Sequence, residues 1–537
     1  MKKGDRISFL FAFIFFLTGI LILRIFDIQI LSHDYLSSKA MAQWRGVLGE
    51  ITRGGIFDRN GESLLGSYEE KCVFISPKWL KDTEIEFLQK NNVLTKASSN
   101  EPKSIKLSDI NLEITKRLIG KTPGIFLYSK KMRYGSSALA THLVGYSGKA
   151  GIEKAFNQIL EGDKKANILF DGLGQPIPGI SKDVSEDESW GIYLTIDSRI
   201  QSIVERIMDQ SVKKGAVIVI DAKTGEILAM ASRPNYKQFE LEKYIKDEDS
   251  PLINRAVQAY IPGSIFKIVV LSAALEENIA TLNDEFFCNG SAKVGGNVIR
   301  CSSYEKGGHG RITLKEAFAH SCNSVFIELG IRLGKERILK YAEKFGLGKT
   351  VLDILPEEKP GYIPSYKNVY YADLGNLSIG QGNLQITPLQ AAQIMLIIAN
   401  DGLRKTPLLV KKVVDKNGHV NQMEFKEKEA ERIISSDTAR KVREALEAVV
   451  DYGSGLFAAP SEDDFRAAGK TGTAELGDGT NHAWFVGYFP ADNPRYIIAV
   501  FIEKGQSGPL KAAPVFRKIA EEIYFFERKV NMHFFSP

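Results

Sequence analysis

Cysteine is scarce in this chain, with four residues in 537, at Cys72, Cys288, Cys301 and Cys322. Four are too few for a disulfide-built scaffold, although they leave room for one bridge. Their spacing matches no common zinc-ligand pattern, so the sequence predicts no metal and no cofactor. Histidine is sparse too, at seven residues, and no Gly-x-Ser-x-Gly segment occurs. A nucleophile-elbow hydrolase with a Ser/His/acid triad is therefore not expected. His309, His320 and His482 read as structural. Charge of one sign is not concentrated: the net charge is +5 over the whole length. Nucleic-acid binders need a dense basic patch, so no nucleic-acid partner is expected. Internal repeats and low-complexity tracts are missing, and so are long apolar runs, except at one place.

That place is the N-terminus. Lys2, Lys3 and Arg6 precede an apolar run from Ile7 to Leu23, interrupted only by Ser8, Thr18 and Gly19. As a helix rising about 1.5 Å per residue it covers roughly 25 Å. Ile25, Phe26 and Ile28 extend it while Arg24 snorkels. The bulky run Leu21 to Phe26 offers no small-x-small cleavage site, which argues against a removed signal peptide. The expectation is a single transmembrane helix over 7–28, a cytoplasmic tail over 1–6, and everything after it outside the cell membrane.

The remaining chain is too long for one core. From 32 to 190 the pattern is mixed. Arg53 to Glu62 reads as a strand, an Asn-Gly turn and a return strand. Thr83–Asn91 and Leu107–Ile119 read as amphipathic helices, and Leu139–Gly162 as two helices around a Gly-rich turn. This region carries no nucleophile-plus-base grouping and reads as a spacer or docking module. Near Ile192 the texture changes. A helix over Ser198–Met208 precedes a hairpin of Gly215–Ile220 and Ile227–Ser232. Cys288–Gly310 is polar and Gly-rich, hence loop. Helices follow at Leu314–His320 and Val325–Leu333; Asp373–Asn400 is loop and then a helix entered at Thr387-Pro388. Ala467–Thr473, His482–Phe489 and Tyr496–Ile502 alternate as strands, and Ala512–Glu527 closes as an amphipathic helix. Early and late strands with helices between predict an α+β unit, an antiparallel sheet covered by helices, over 191–530.

The chemistry gathers around Pro262-Gly263-Ser264-Ile265-Phe266-Lys267 and the apolar run Ile268–Ala274. Pro-Gly breaks the preceding element, and a buried helix follows. Ser264 then lies in its first turn with Lys267 one turn on. A hydroxyl becomes a useful nucleophile only when a neighbouring base takes its proton, and a lysine so placed can do this. Ser-x-x-Lys alone is a weak signal; the same spacing occurs at Ser211/Lys214 and Ser303/Lys306. What sharpens it is the ordered company of Ser321-Cys322-Asn323 and Lys470-Thr471-Gly472-Thr473-Ala474. A second Lys-Thr-Gly, at Lys223, sits at the tip of the predicted hairpin and reads as a turn.

This trio resembles the motif set of class B penicillin-binding proteins, bitopic D,D-transpeptidases of cell-wall synthesis. The likeness extends to Arg53–Gly61 and Gly151–Phe156, similar to that family's pedestal domain, and to Gly380-Gln381-Gly382, Ala483–Tyr488 and Ala512–Phe516 in the catalytic domain. It implies the penicillin-binding transpeptidase fold, shared with serine β-lactamases, on an N-terminal pedestal. It implies Ser264 as nucleophile, Lys267 as base, and Ser321 and Asn323 as proton relay and substrate anchor. Lys470, Thr471, Gly472 and Thr473 then bind the substrate carboxylate. The implied partners are peptidoglycan stem peptides or their lipid-linked precursor, β-lactams, and a membrane glycan polymerase. Two other readings stay open: a β-lactam receptor or scaffold that activates such a polymerase, and a D,D-carboxypeptidase or β-lactamase using water. Cys322 lies inside the second motif and Cys301 just upstream of it. We expect a redox pair there, its disulfide distorting the motif, as would suit a sporulation-specific member of the family.

Overall fold

Within Gly215–Asp221 (β1) the apolar side chains leave in two alternating directions, as a strand buried on both faces requires. Ala216, Ile218 and Ile220 join one core, Val217 and Val219 another. The same division recurs in Ile227–Arg233 (β2), Asn481–Phe489 (β4) and Tyr496–Ile502 (β5), while Ala468–Glu475 (β3) contributes Ala468 to the first core. In the computed structural model these five form one sheet in the order β3-β4-β5-β1-β2, every neighbouring pair antiparallel. The structure describes residues 3–33, 35–36, 45–94, 103–110, 114, 117–119, 122, 124–170, 190–421, 430–462 and 464–534.

Helices cover both faces. Ser198–Ser211 (α1), begun by the Asp197 side chain accepting from the Arg199 amide, packs with the C-terminal helix on one side. The other core is filled by Lys267–Glu276 (α2), Leu314–Ala319 (α3), Asn323–Lys344 (α4), Pro388–Ala399 (α5) and Ser436–Asp451 (α6). α4 is interrupted at Gly334. α5 starts as its sequence suggests, with Thr387 and Gln390 in a capping box around Pro388. Ala513–Phe534 (α7) closes the chain. The expected α+β architecture is therefore present.

Two expected loops are structured. Cys288–Gly310 holds two small antiparallel ribbons, Glu285–Cys288 with Gly310–Thr313 and Ser291–Val294 with Asn297–Arg300. Gly295 and Gly296, both at positive φ, make the tight turn; the flanking residues are too polar to read as strands. Tyr371–Ser378 is a helix, capped by Asp373, where loop is expected.

The chain divides into two compact units whose segments interleave: Met1–Arg53, Glu69–Met132 and Glu161–Glu188 in one, Gly54–Tyr68, Arg133–Leu160 and Ser189–Pro537 in the other. The second unit thus includes two stretches from within 32–190. One is Gly55–Phe57, which runs parallel to Gly191–Leu194 and leads into the Asn60-Gly61 turn. The return strand expected there is reduced to one bridge, Phe57 to Ser63. The other contributes three short helical turns, Thr141–Val144, Gly151–Ala155 and Asn157–Leu160, rather than two helices.

The first unit contains the apolar helix Lys3–Phe26 and the turn Asp27–Leu31, exposed along its length and long enough to cross a membrane. It also holds a ribbon of Arg45–Arg53 with Glu161–Phe170. A three-stranded sheet has Tyr68–Ile75 at its centre and packs on the helix Asp82–Lys90, close to the expected Thr83–Asn91. Of the helix expected over Leu107–Ile119, a short turn at Leu107–Asp109 is described, and half of the rest lies outside the described residues.

Candidate active site

Ser264 sits in a single 3-10 turn, Gly263–Phe266, that runs directly into α2. The turn is fixed by what touches it. Gly263 has φ +56°, and its amide donates to the Gly380 carbonyl at 2.9 Å. A Cβ at Gly263 would come within 2.6 Å of the Thr473 carbonyl oxygen, so only glycine fits. A Cβ at Gly472 would meet the Pro262 carbonyl and Ile265 at 3.0 and 2.8 Å. The Trp484 indole N–H donates to the Ile261 carbonyl at 3.1 Å. The third motif, on the edge strand β3, is thereby pressed against the serine turn.

Lys267 is fully buried. Its Nζ donates to the Ser321 carbonyl and the Asn323 Oδ1, each at 2.8 Å, and lies 3.4 Å from the Ser321 hydroxyl. Lys470, also fully buried, donates to the Ser321 Oγ at 2.9 Å and to the Thr471 carbonyl at 3.1 Å. Among the described residues neither amine forms an ion pair; each lies over an aromatic ring instead, Phe326 for Lys267 and Phe318 for Lys470. Burial lowers the Lys267 pKa to about 8, against an upward pull from Cys322 and Cys301. Burial, and then the charge of Lys267, hold Lys470 well below its ordinary value. Desolvation leads for both amines.

Ser321 lies between α3 and α4 at φ +59°. The Ser321 amide bonds the Phe318 carbonyl and the Cys322 amide bonds the Ala317 carbonyl, the two bonds of a Schellman ending for α3. Glycine ordinarily fills that left-handed position. A serine held there is strained, and its hydroxyl lies within reach of both lysines. Asn323 begins α4, its Nδ2 donating to the Arg300 carbonyl at 3.0 Å. Thr471 is buried with its hydroxyl 2.7 Å from that of Ser454, and the Thr473 Oγ1 accepts from the Gly508 amide at 3.2 Å. Ser454 and Gly508 carry no motif and escape sequence reading.

Residues 215–521 match the family model for the penicillin binding protein transpeptidase domain, more than half of the chain. Stage V sporulation protein D of Bacillus subtilis is 32% identical over 565 residues, spanning 96% of this chain and 85% of that protein. The chain belongs to the class B penicillin-binding proteins. The crystal structure of penicillin binding protein 3 from Mycobacterium tuberculosis with aztreonam is 26% identical to this transpeptidase. It has a TM-score of 0.65 and covers 90% of this chain and 97% of its own. A chain in a structure described as structural coordination of polymerization and crosslinking by a peptidoglycan synthase complex gives 25% and 0.70, covering 97% and 98%.

In this penicillin-binding protein the cysteines do not stay scattered. Cys288, Cys301 and Cys322 are buried and reduced, and Cys301 Sγ lies 3.7 Å from Cys322 Sγ. The hydrogen bond between those two pulls the Cys301 thiol down and pushes the Cys322 thiol up. His309 turns in beside them, its Nδ1 3.6 Å from Cys301 Sγ. His482 keeps the structural part expected of it. Burial lowers its pKa to about 4, and its Nδ1 accepts from the Lys504 amide.

Proposed function

We propose that Ser264 attacks the carbonyl joining two D-alanines of a peptidoglycan stem peptide, forming an acyl-enzyme and releasing the terminal D-alanine. The observation that carries this is the convergence of Lys267 and Lys470 on the Ser321 hydroxyl beside the Ser264 turn. Lys267, its pKa lowered by burial, takes the Ser264 proton. Ser321 relays a proton to the leaving amine. Asn323 positions Lys267 and holds a substrate amide. Amides of Ser264 and Thr473 form an oxyanion hole, worth about 3–4 kcal/mol of barrier. Lys470, with Thr471 and Thr473, binds the terminal carboxylate, and Gly472 lets the strand lie close to the serine turn. An amine of a neighbouring strand then takes the acyl group, giving a cross-link.

The reading extends to topology and partners. Lys2, Lys3 and Arg6 favour a cytoplasmic N-terminus, with a pedestal over about 32–190 and a catalytic domain over about 191–530 outside. A membrane glycan polymerase is a fitting partner, given the likeness to a chain of a peptidoglycan synthase complex. β-Lactams acylate Ser264. Cys301 and Cys322 can pass two electrons and two protons to an oxidising disulfide and become bridged, which would distort the second motif. Mass mapping of thiols in oxidised and reduced protein tests that step.

Fluorescent penicillin should label the wild type and not Ser264→Ala. Products from a stem-peptide donor with an amine acceptor should be cross-linked dimers. Free tetrapeptide-ended chains alone would mean hydrolysis instead.

A further inference from the structure

We propose that Cys288, Cys301, His309 and Cys322 form a structural zinc site behind the second motif. Their ligand atoms all lie within 4.8 Å of one another. Tetrahedral zinc, with Zn–S about 2.3 Å and Zn–N about 2.0–2.1 Å, needs ligand–ligand edges of roughly 3.5–3.8 Å. Two edges already have that length: Cys301 Sγ to Cys322 Sγ at 3.7 Å and Cys301 Sγ to His309 Nδ1 at 3.6 Å. Three thiolates and one imidazole are a common structural zinc set, and thiolate-rich donors disfavour magnesium or calcium. A disulfide uses only two of the four groups and leaves the convergence of Cys288 and His309 without a purpose. In a chain with four cysteines, three meet at one point and only Cys72 lies elsewhere.

The surroundings suit thiolates. The Asn323 amide donates to Cys301 Sγ at 3.3 Å and the Gly290 amide to Cys288 Sγ at 3.4 Å. Such N–H···S bonds orient metal-bound sulfur and spread its charge. Ser303 Oγ, 3.0 Å from His309 Nδ1 and 3.9 Å from Cys288 Sγ, can turn from the first to the second when the nitrogen lone pair goes to the metal. On binding, three thiols release three protons to solvent, each sulfur donates an electron pair, and nothing is oxidised or reduced.

The ligands come from separate segments. Cys288 ends one strand, Cys301 follows another, and His309 precedes a third. Cys322 stands between Ser321 and Asn323. One ion would tie both small ribbons to the turn that presents Ser321 and Asn323 to Lys267. The zinc ligands are positioning residues and touch no substrate. The same ion would occupy both members of the Cys301/Cys322 pair and compete with their disulfide.

The test uses the full chain in detergent, purified under reducing conditions. Elemental analysis should find one zinc per chain. The zinc should be lost in Cys288→Ser and His309→Ala and kept in Cys72→Ser. After chelation, added Co²⁺ should give the thiolate charge-transfer band and intense visible bands of tetrahedral coordination, erased by zinc. Chelation should also slow penicillin acylation, with recovery on adding zinc. Two results would overturn the proposal: no stoichiometric zinc together with no tetrahedral cobalt spectrum in reduced wild type, or full zinc retention in folded Cys288→Ser and His309→Ala. Because the cobalt spectrum is read on the wild type, misfolding of a variant leaves the test decisive.

Discussion

Lys470 and Ser321, separated by 149 positions, are joined by a 2.9 Å hydrogen bond from Nζ to Oγ. The same hydroxyl lies 3.4 Å from the Lys267 Nζ. One oxygen thus stands between two buried amines that, among the described residues, have no carboxylate to neutralise them. Both amines are held below their ordinary pKa, so a proton can be shared along the line at little cost.

Acylation should therefore depend on pH in a defined sense. As the proposed base, Lys267 would act only when neutral, and its pKa is lowered to about 8. The neutral fraction, and the acylation rate, should rise about tenfold per unit below pH 8 and level off above it. Stopped-flow acylation by a chromogenic β-lactam reads the profile. A rate that is flat between pH 6 and 8 would rule out Lys267 as the base. Lys267→Ala should lose about 100-fold or more in rate.

Ser321→Gly should separate stability from activity. Glycine relieves the left-handed strain at φ +59°, so the variant should be more stable by roughly 1 kcal/mol. It also removes the hydroxyl between the lysines, and acylation should fall by about two orders of magnitude. Thermal unfolding and penicillin labelling of the same preparation check both halves.

Gly263→Ala should do the reverse of Ser321→Gly for stability. Its Cβ would sit 2.6 Å from the Thr473 carbonyl in a conformation disfavoured for alanine, at φ +56°. A loss of about 1–3 kcal/mol is expected, together with slower acylation, because the serine turn must move off β3. Unchanged unfolding would mean the turn is not held against the strand.

His142 makes stability sensitive to acid. It is buried, its Nε2 2.7 Å from the Pro251 carbonyl, and burial lowers its pKa to about 3 from the ordinary 6.5. The unfolded chain then binds a proton that the folded chain refuses. Its contribution is complete above pH 6.5 and is lost as pH falls toward 3, at about 1.4 kcal/mol per unit. His142→Gln should flatten the fall in unfolding temperature over that window.

Much of the catalytic unit is legible in the sequence. Each strand of the sheet announces itself by alternation. Thr387-Pro388 marks a helix start through its cap, and Pro262-Gly263 marks the serine turn because nothing else can follow that backbone. These are local rules, and local residues suffice to satisfy them. The ribbons within Cys288–Gly310 and the helix Tyr371–Ser378 are not legible in this way. Polar and apolar residues are mixed in them without a clear period, and the glycine turn and the Asp373 cap that shape them do not stand out from loop composition.

By itself the sequence determined the membrane-length apolar helix, the alternating sheet and the three motifs, since each is written in neighbouring residues. Folding alone decided that Lys267 and Lys470 share one hydroxyl, that burial rather than mutual charge leads in lowering both amines, and that Cys288 and His309 join Cys301 and Cys322. Those are consequences of desolvation and of contacts between distant segments, and no spacing along a chain encodes the distance between two atoms that meet only when the core closes.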